Sequence, residues 1–148
     1  MKRKDKAREL FQSGYNCAQA VVGAYSDLFG TDSKEAMRAA ECFGGGMGRM
    51  RLTCGAVSGM FMVTSLKYSK GEPKDTETRT KIYETVREMA KRFEDKNGTI
   101  VCGELLGLDK AEKSAQPEAR TEAYYKKRPC IGCVEDCAEI LEEMLNID

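Results

Sequence analysis

Apolar residues return every three or four positions along most of this chain, and no run alternates apolar with polar as a half-buried strand does. Packed helices are the fold that this pattern allows. The spacing predicts a helix over 3–12 with Ala7, Leu10 and Phe11 on one side, closed by Ser13-Gly14. Asn16 caps a second helix over 17–29, which sets Cys17, Val21, Ala24 and Leu28 on one face. Gly30 stops it, and Asp32 or Ser33 caps a third that reaches residue 42. A fourth covers 53–69, rich in small residues and carrying Val57, Phe61 and Met62, and is ended by Gly71 and Pro73. The fifth, over 74–96, is the clearest: Ile82, Val86, Met89 and Phe93 form one stripe on a charged rod. Beyond Asn97-Gly98 come a short helical turn around Cys102, a polar surface helix within 109–127, and a last helix over 131–145. The stripe of that last helix is Cys133, Cys137, Ile140 and Met144. The expectation is all-α: a single compact helical bundle of about six to seven helices, with residues 1–148 as one domain.

Between the third and fourth helices lies Phe43-Gly44-Gly45-Gly46-Met47-Gly48. Regular helix is excluded there, because each glycine costs roughly 1 kcal/mol relative to alanine. Exposed glycine N–H groups can cradle an anion. Yet no strand precedes the run and no Gly-Lys-Ser/Thr follows it, so it is neither a dinucleotide fingerprint nor a P-loop. The favoured reading is a tight turn between packed helices; a second is a passage that lets partner thiols approach Cys54. Gly55 and Gly59, four apart, give the fourth helix a small face and make it the expected centre of the bundle.

A chain of 148 residues buries roughly 70% of its unfolded surface, so its core needs no disulfide. Lysine plus arginine equals aspartate plus glutamate, 24 each, which leaves no overall field to gather nucleic acid or anionic lipid. The basic start runs into Asp5-Lys6-Ala7-Arg8-Glu9 rather than an apolar stretch, unlike a secretory signal. Residues 55–66 are too few and too rich in Gly, Ser and Thr to span a bilayer. No membrane insertion and a cytoplasmic location are expected, where thiols stay reduced and clustered cysteines point to redox chemistry or metal.

There are seven cysteines and no histidine. Cys17, Cys54, Cys102 and Cys130 each fall where a helix starts, and free N–H groups at such ends favour thiolate. Without histidine as base, acidity must come from helix ends and nearby Lys or Arg. Cys133 and Cys137 share the core stripe of the last helix and read as packing; Cys42, beside the glycine run, reads either way. Cys130-Ile131-Gly132-Cys133 is a C-x-x-C at a helix start, a pair able to close a disulfide. With Cys137 one turn later, three sulfurs facing one metal ion stay an open alternative. Glu41 and Glu104, each beside a cysteine, fit either proton transfer or a solvated helix surface.

The motifs Gly14-Tyr15-Asn16-Cys17-Ala18-Gln19-Ala20, Phe43-Gly44-Gly45-Gly46-Met47-Gly48-Arg49 and Cys54-Gly55-Ala56-Val57-Ser58-Gly59 occur in that order. Cys102 with Leu105-Leu106-Gly107, and Cys130 ahead of Val134-Glu135-Asp136, follow. In this the chain resembles the C-GCAxxG-C-C family of redox-active proteins, over nearly its whole length. Carried over by position, the four signature cysteines of that family fall on Cys17, Cys54, Cys102 and Cys130. Cys42, Cys133 and Cys137 sit where the family pattern does not demand cysteine. The resemblance implies a class of activity and no substrate.

Three functions stay open on the sequence. One is a thiol-based oxidoreductase, cycling thiolate and disulfide among Cys17, Cys54, Cys102 and Cys130 with a redox partner protein or a small thiol or electron carrier. Another is a metal or iron–sulfur protein with the same four cysteines as ligands. The last is a non-enzymatic helical binding module whose cysteines only pack. The small face of the fourth helix and the exposed rod of the fifth leave a homodimer open.

Overall fold

The computed structural model describes residues 1–108 and 114–146. Its helices are α1 (Arg3–Gln12), α2 (Cys17–Tyr25), α3 (Ser33–Ala40), α4 (Gly55–Tyr68), α5 (Thr76–Asn97), α6 (Cys102–Leu105), α7 (Glu122–Lys127) and α8 (Cys130–Leu145). The fold is all-α, with slightly more helices among the described residues than the six to seven expected. The one strand-like feature among them is an isolated bridge between Thr53 and Val101.

Local chemistry sets most helix starts. The Asn16 side chain accepts from the Gln19 N–H at 3.0 Å while Gln19 Oε1 accepts from the Asn16 N–H at 3.1 Å, a reciprocal cap on α2. Asp32, Asp75 and Thr121 cap α3, α5 and α7 in the simpler way. Gly98, in left-handed conformation, closes α5.

The centre of the bundle belongs to α2 rather than to α4 alone. Every residue from Ala18 to Tyr25 is buried, with α1, α3, α4 and α8 packed around it. Ala18, Ala20, Gly23 and Ala24 add so little bulk that neighbours close in on all sides. The small face of α4 is the counterpart. A Cβ on Gly59 would stand 2.8 Å from the Ala18 carbonyl oxygen, and one on Gly55 would stand 2.9 Å from that of Phe43. Glycine is required at this crossing. That face is therefore covered from within the chain, whereas the first half of α5 stays at the surface.

Elsewhere the stripes hold with local exceptions. Met89 and Phe93 are buried on α5, while Ile82 and Val86 are half-buried. In α8, Cys133, Cys137, Ile140 and Leu141 are fully inside, and the Tyr25 hydroxyl donates to the Ala138 carbonyl at 2.5 Å. Leu28 departs from the stripe of α2 and is 39% exposed. The chain tightens into a 3-10 turn over Ser26–Phe29, and the α-helical register is lost there.

The helix expected within 109–127 is reduced to α7. Residues 114–121 are not helical, and 109–113 lie outside the described residues. Pro117 explains part of the loss, since it disfavours helical conformation at Gln116 before it. No helix among the described residues is long and apolar enough to cross a membrane.

Candidate functional site

Four elements begin at one end of the bundle, and each begins with a cysteine. Cys17, Cys102 and Cys130 are the first residues of α2, α6 and α8, and Cys54 is the N-cap of α4. Backbone bonds tie these starts together. The Cys54 N–H donates to the Ile100 carbonyl at 2.7 Å and the Cys102 N–H to that of Leu52 at 2.6 Å.

The glycine run builds the adjoining wall. Gly45, Gly46, Met47, Gly48, Arg49 and Arg51 all have positive φ, a conformation that costs energy in the three non-glycine residues. A Cβ on Gly46 would lie 2.6 Å from the Cys102 Cβ and 2.8 Å from the Arg51 Cα. Only glycine fits there. The loop thus returns tightly, as expected of the glycines, and in doing so presses Arg51 against Cys102, whose sulfur accepts from Arg51 Nη1 at 3.6 Å.

Between these elements opens a cavity of about 240 Å³. Cys17, Cys42, Cys102 and Cys130 line it, and so do Arg49, Arg51, Arg120 and Arg128. Against these arginines stand Glu41 and Glu118 in the lining. Arg120 donates to the carbonyls of Phe11 and Tyr15, both at 3.0 Å, and lies over the Phe11 and Tyr124 rings. These partners are neutral carbonyls and rings. Arg128 pairs with Glu118 and stacks over Tyr124, while Arg49 donates to the carbonyls of Ser114 and Gln116.

The sulfurs meet in pairs. Cys17 is hydrogen-bonded to Cys130, across the cavity wall, and Cys54 is hydrogen-bonded to Cys133 beneath it. Cys130 is lowered to about 7: the hydrogen bond from Cys17 is the largest cause, burial opposes it, and Arg128, Arg120 and Arg51 assist. Cys17 is pushed well up by the same hydrogen bond and by burial. Cys130 is therefore the acidic member of the pair, and Cys17 is the proton donor to its thiolate form.

Three further sulfurs, Cys54, Cys102 and Cys137, are shifted the other way. Cys54 is raised well above the thiol range by its bond with Cys133 and by burial, with the N–H groups of Val57 and Ala56 pulling the other way. Burial raises Cys102 against the pull of Arg51. It also raises Cys137, which is fully inside. The expectation that a helix start is enough to favour thiolate therefore fails at Cys17, Cys54 and Cys102. At Cys17 and Cys54 the hydrogen bond with a second thiol, followed by burial, and at Cys102 chiefly burial, outweigh a dipole worth only about 0.3–1 kcal/mol at a surface.

Of the residues singled out on sequence, Cys17, Cys102 and Cys130 share the cavity, and Cys54 lies behind it. Cys42 is exposed at the rim, its thiol donating to the Ala39 carbonyl at 3.7 Å. Cys133 is buried as its stripe implies, and its neighbour there is Cys54. Glu41 lines the cavity, whereas Glu104 accepts from Thr99 at the surface. The sulfurs do not form a metal cradle: among the described residues no three Cys, Asp or Glu side chains stand together in a way that could hold a metal ion. Sequence reasoning missed the arginine ring and Tyr124. Their signal was thin, since the four arginines are spread from 49 to 128 and only the fold collects them.

A family model described as "Putative redox-active protein (C_GCAxxG_C_C)" matches residues 15–144. No curated protein and no solved structure matches the chain. The matched segment holds every cysteine of the cavity and of the pair behind it, and the chain belongs to the C_GCAxxG_C_C family of redox-active proteins.

Proposed function

We propose that this protein is a thiol-based oxidoreductase whose reactive pair is Cys130 and Cys17. The observation that carries this reading is that both cysteines line one cavity with Arg51, Arg120 and Arg128. The Cys130 thiolate attacks one sulfur of a substrate disulfide, forming a mixed disulfide and expelling the first substrate thiolate. Cys17 then loses its proton to that leaving thiolate and attacks the Cys130 sulfur. A Cys17–Cys130 bridge forms, the second substrate thiolate leaves, and the substrate has taken up two electrons. Run backwards, the same steps oxidise a dithiol.

Cys102 and Arg51 form the cavity wall beside the reacting sulfurs. The arginines favour a substrate with negative charge next to its disulfide, and the modest cavity favours a small thiol or electron carrier over a bulky protein loop. In this reading residues 1–148 act as one domain and work in the cytoplasm, with the resting state reduced.

The test is to reduce the protein, oxidise it mildly with oxidised glutathione, block remaining thiols and map bridges by mass spectrometry. A reversible Cys17–Cys130 bridge is expected. Were both cysteines to stay free after oxidation, the reading would fall.

A further inference from the structure

The Cys54–Cys133 contact has no role in the cycle just described, although it lies one helical turn from Cys130. Cys54 and Cys133 are 5% and 3% exposed, so no external reagent reaches them directly. Cys133 nevertheless follows Cys130 at i+3 on α8, within the C-x-x-C turn that brings two sulfurs into bonding range. Cys17 closes the circuit, for its Cβ lies 3.5 Å from where a Cβ on Gly55 would stand, next to Cys54. The four sulfurs thus alternate between helices: α2 meets α8, and α8 meets the start of α4. Cys137, a turn deeper on α8, is the contrast, a buried thiol in the hydrophobic core.

We propose that Cys54 and Cys133 are a second, internal dithiol that reduces the Cys17–Cys130 bridge through the C-x-x-C turn, so that the chain holds two electron pairs. This rests on the reading of Cys17 and Cys130 as the reactive pair. The Cys133 sulfur gives up its proton and attacks Cys130, forming a Cys130–Cys133 bond and breaking the bond to Cys17, which takes a proton. Cys54 then attacks Cys133 and the Cys130 thiolate leaves, while the Cys54 proton passes out through the cavity. At the end Cys54 and Cys133 are oxidised, Cys17 and Cys130 are reduced again, and two electrons have moved inward-to-outward. No further co-reactant is needed beyond the disulfide that oxidised the outer pair.

The experiment is a stoichiometric titration of fully reduced protein with oxidised glutathione, with acid quenching and bridge mapping. The wild type is expected to consume about two equivalents, and Cys133→Ala about one, with its bridge confined to Cys17 and Cys130. Cys137→Ala is expected to keep the wild-type capacity. At less than one equivalent, early quenches should show the Cys17–Cys130 bridge and later ones Cys54–Cys133. This time course needs only wild-type protein and decides the matter even if Cys133→Ala fails to fold. A wild type that stops near one equivalent, with Cys54 and Cys133 still alkylated after denaturation, overturns the internal dithiol and leaves the outer pair standing. A protein that forms no bridge at Cys17 or Cys130 overturns both readings.

Discussion

Two cysteine pairs, made of the same atoms and lying within one helical turn of each other on α8, sit in opposite surroundings. Cys17 and Cys130 meet at a cavity wall, with Arg120 and Arg128 close by and solvent within reach. Cys54 and Cys133 meet in the hydrophobic core with Val57 and Val134, and neither lines the arginine-bearing cavity. In the outer pair a hydrogen bond and arginines outweigh burial and the thiolate exists near neutral pH. In the inner pair the bond with Cys133 and burial act together and Cys54 holds its proton. Residue type is the same in both pairs; burial, the neighbouring sulfur and the arginines together set the direction of each shift.

That contrast can be broken at several points. Cys130→Ser should abolish the fast-reacting thiol, so that iodoacetamide labelling of native protein at pH 7 loses its rapid phase while Cys54 and Cys133 remain unlabelled. Rapid labelling that survived the change would place the thiolate elsewhere. Gly46→Ala attacks the wall that separates cavity from core. The added Cβ would collide with Cys102 and the Arg51 backbone, and overpacking with a left-handed alanine should cost roughly 2–4 kcal/mol in urea denaturation.

Cys17→Ala removes the main hydrogen bond to the Cys130 thiolate. Its acidity should return toward the ordinary thiol value, and labelling at pH 7 should slow about tenfold. The pH profile gives the sign independently. A thiol lowered to about 7 is thiolate above that pH and is protonated as the pH falls through it. Labelling should therefore rise with a midpoint near 7 in the wild type and shift alkaline in Cys17→Ala, and an unchanged midpoint would count against the hydrogen bond. Arg128→Gln is the mildest change, since Arg120 and Arg51 remain. It should slow labelling about two- to threefold and leave the inner pair untouched.

Much of this was legible from local pattern. Asn16, Asp32 and Gly98 punctuate helices as their chemistry dictates, and Cys17, Cys54, Cys102 and Cys130 do stand at element starts. The site was less legible. Cys133 read as packing because its stripe is a true core stripe, and nothing in the spacing shows that Cys54 lies opposite it. Arg120 belongs to a stretch whose sequence looked like a polar surface helix, and Arg128 directly follows it, although both guanidinium groups cover Tyr124 and act on Cys130. The small face of α4 was visible as Gly55 and Gly59, but its partner, α2, was not.

The sequence by itself determined that the chain is helical, where the helices begin and break, and that thiols stand at those beginnings. These depend on caps, glycine and periodicity, interactions that reach only a few residues along the backbone. Only the tertiary structure decided which sulfurs pair, which pair sees arginine and which is walled into the core. Those outcomes depend on desolvation and charge, and on how α2, α4 and α8 cross in space, a geometry set by the packing of the whole bundle.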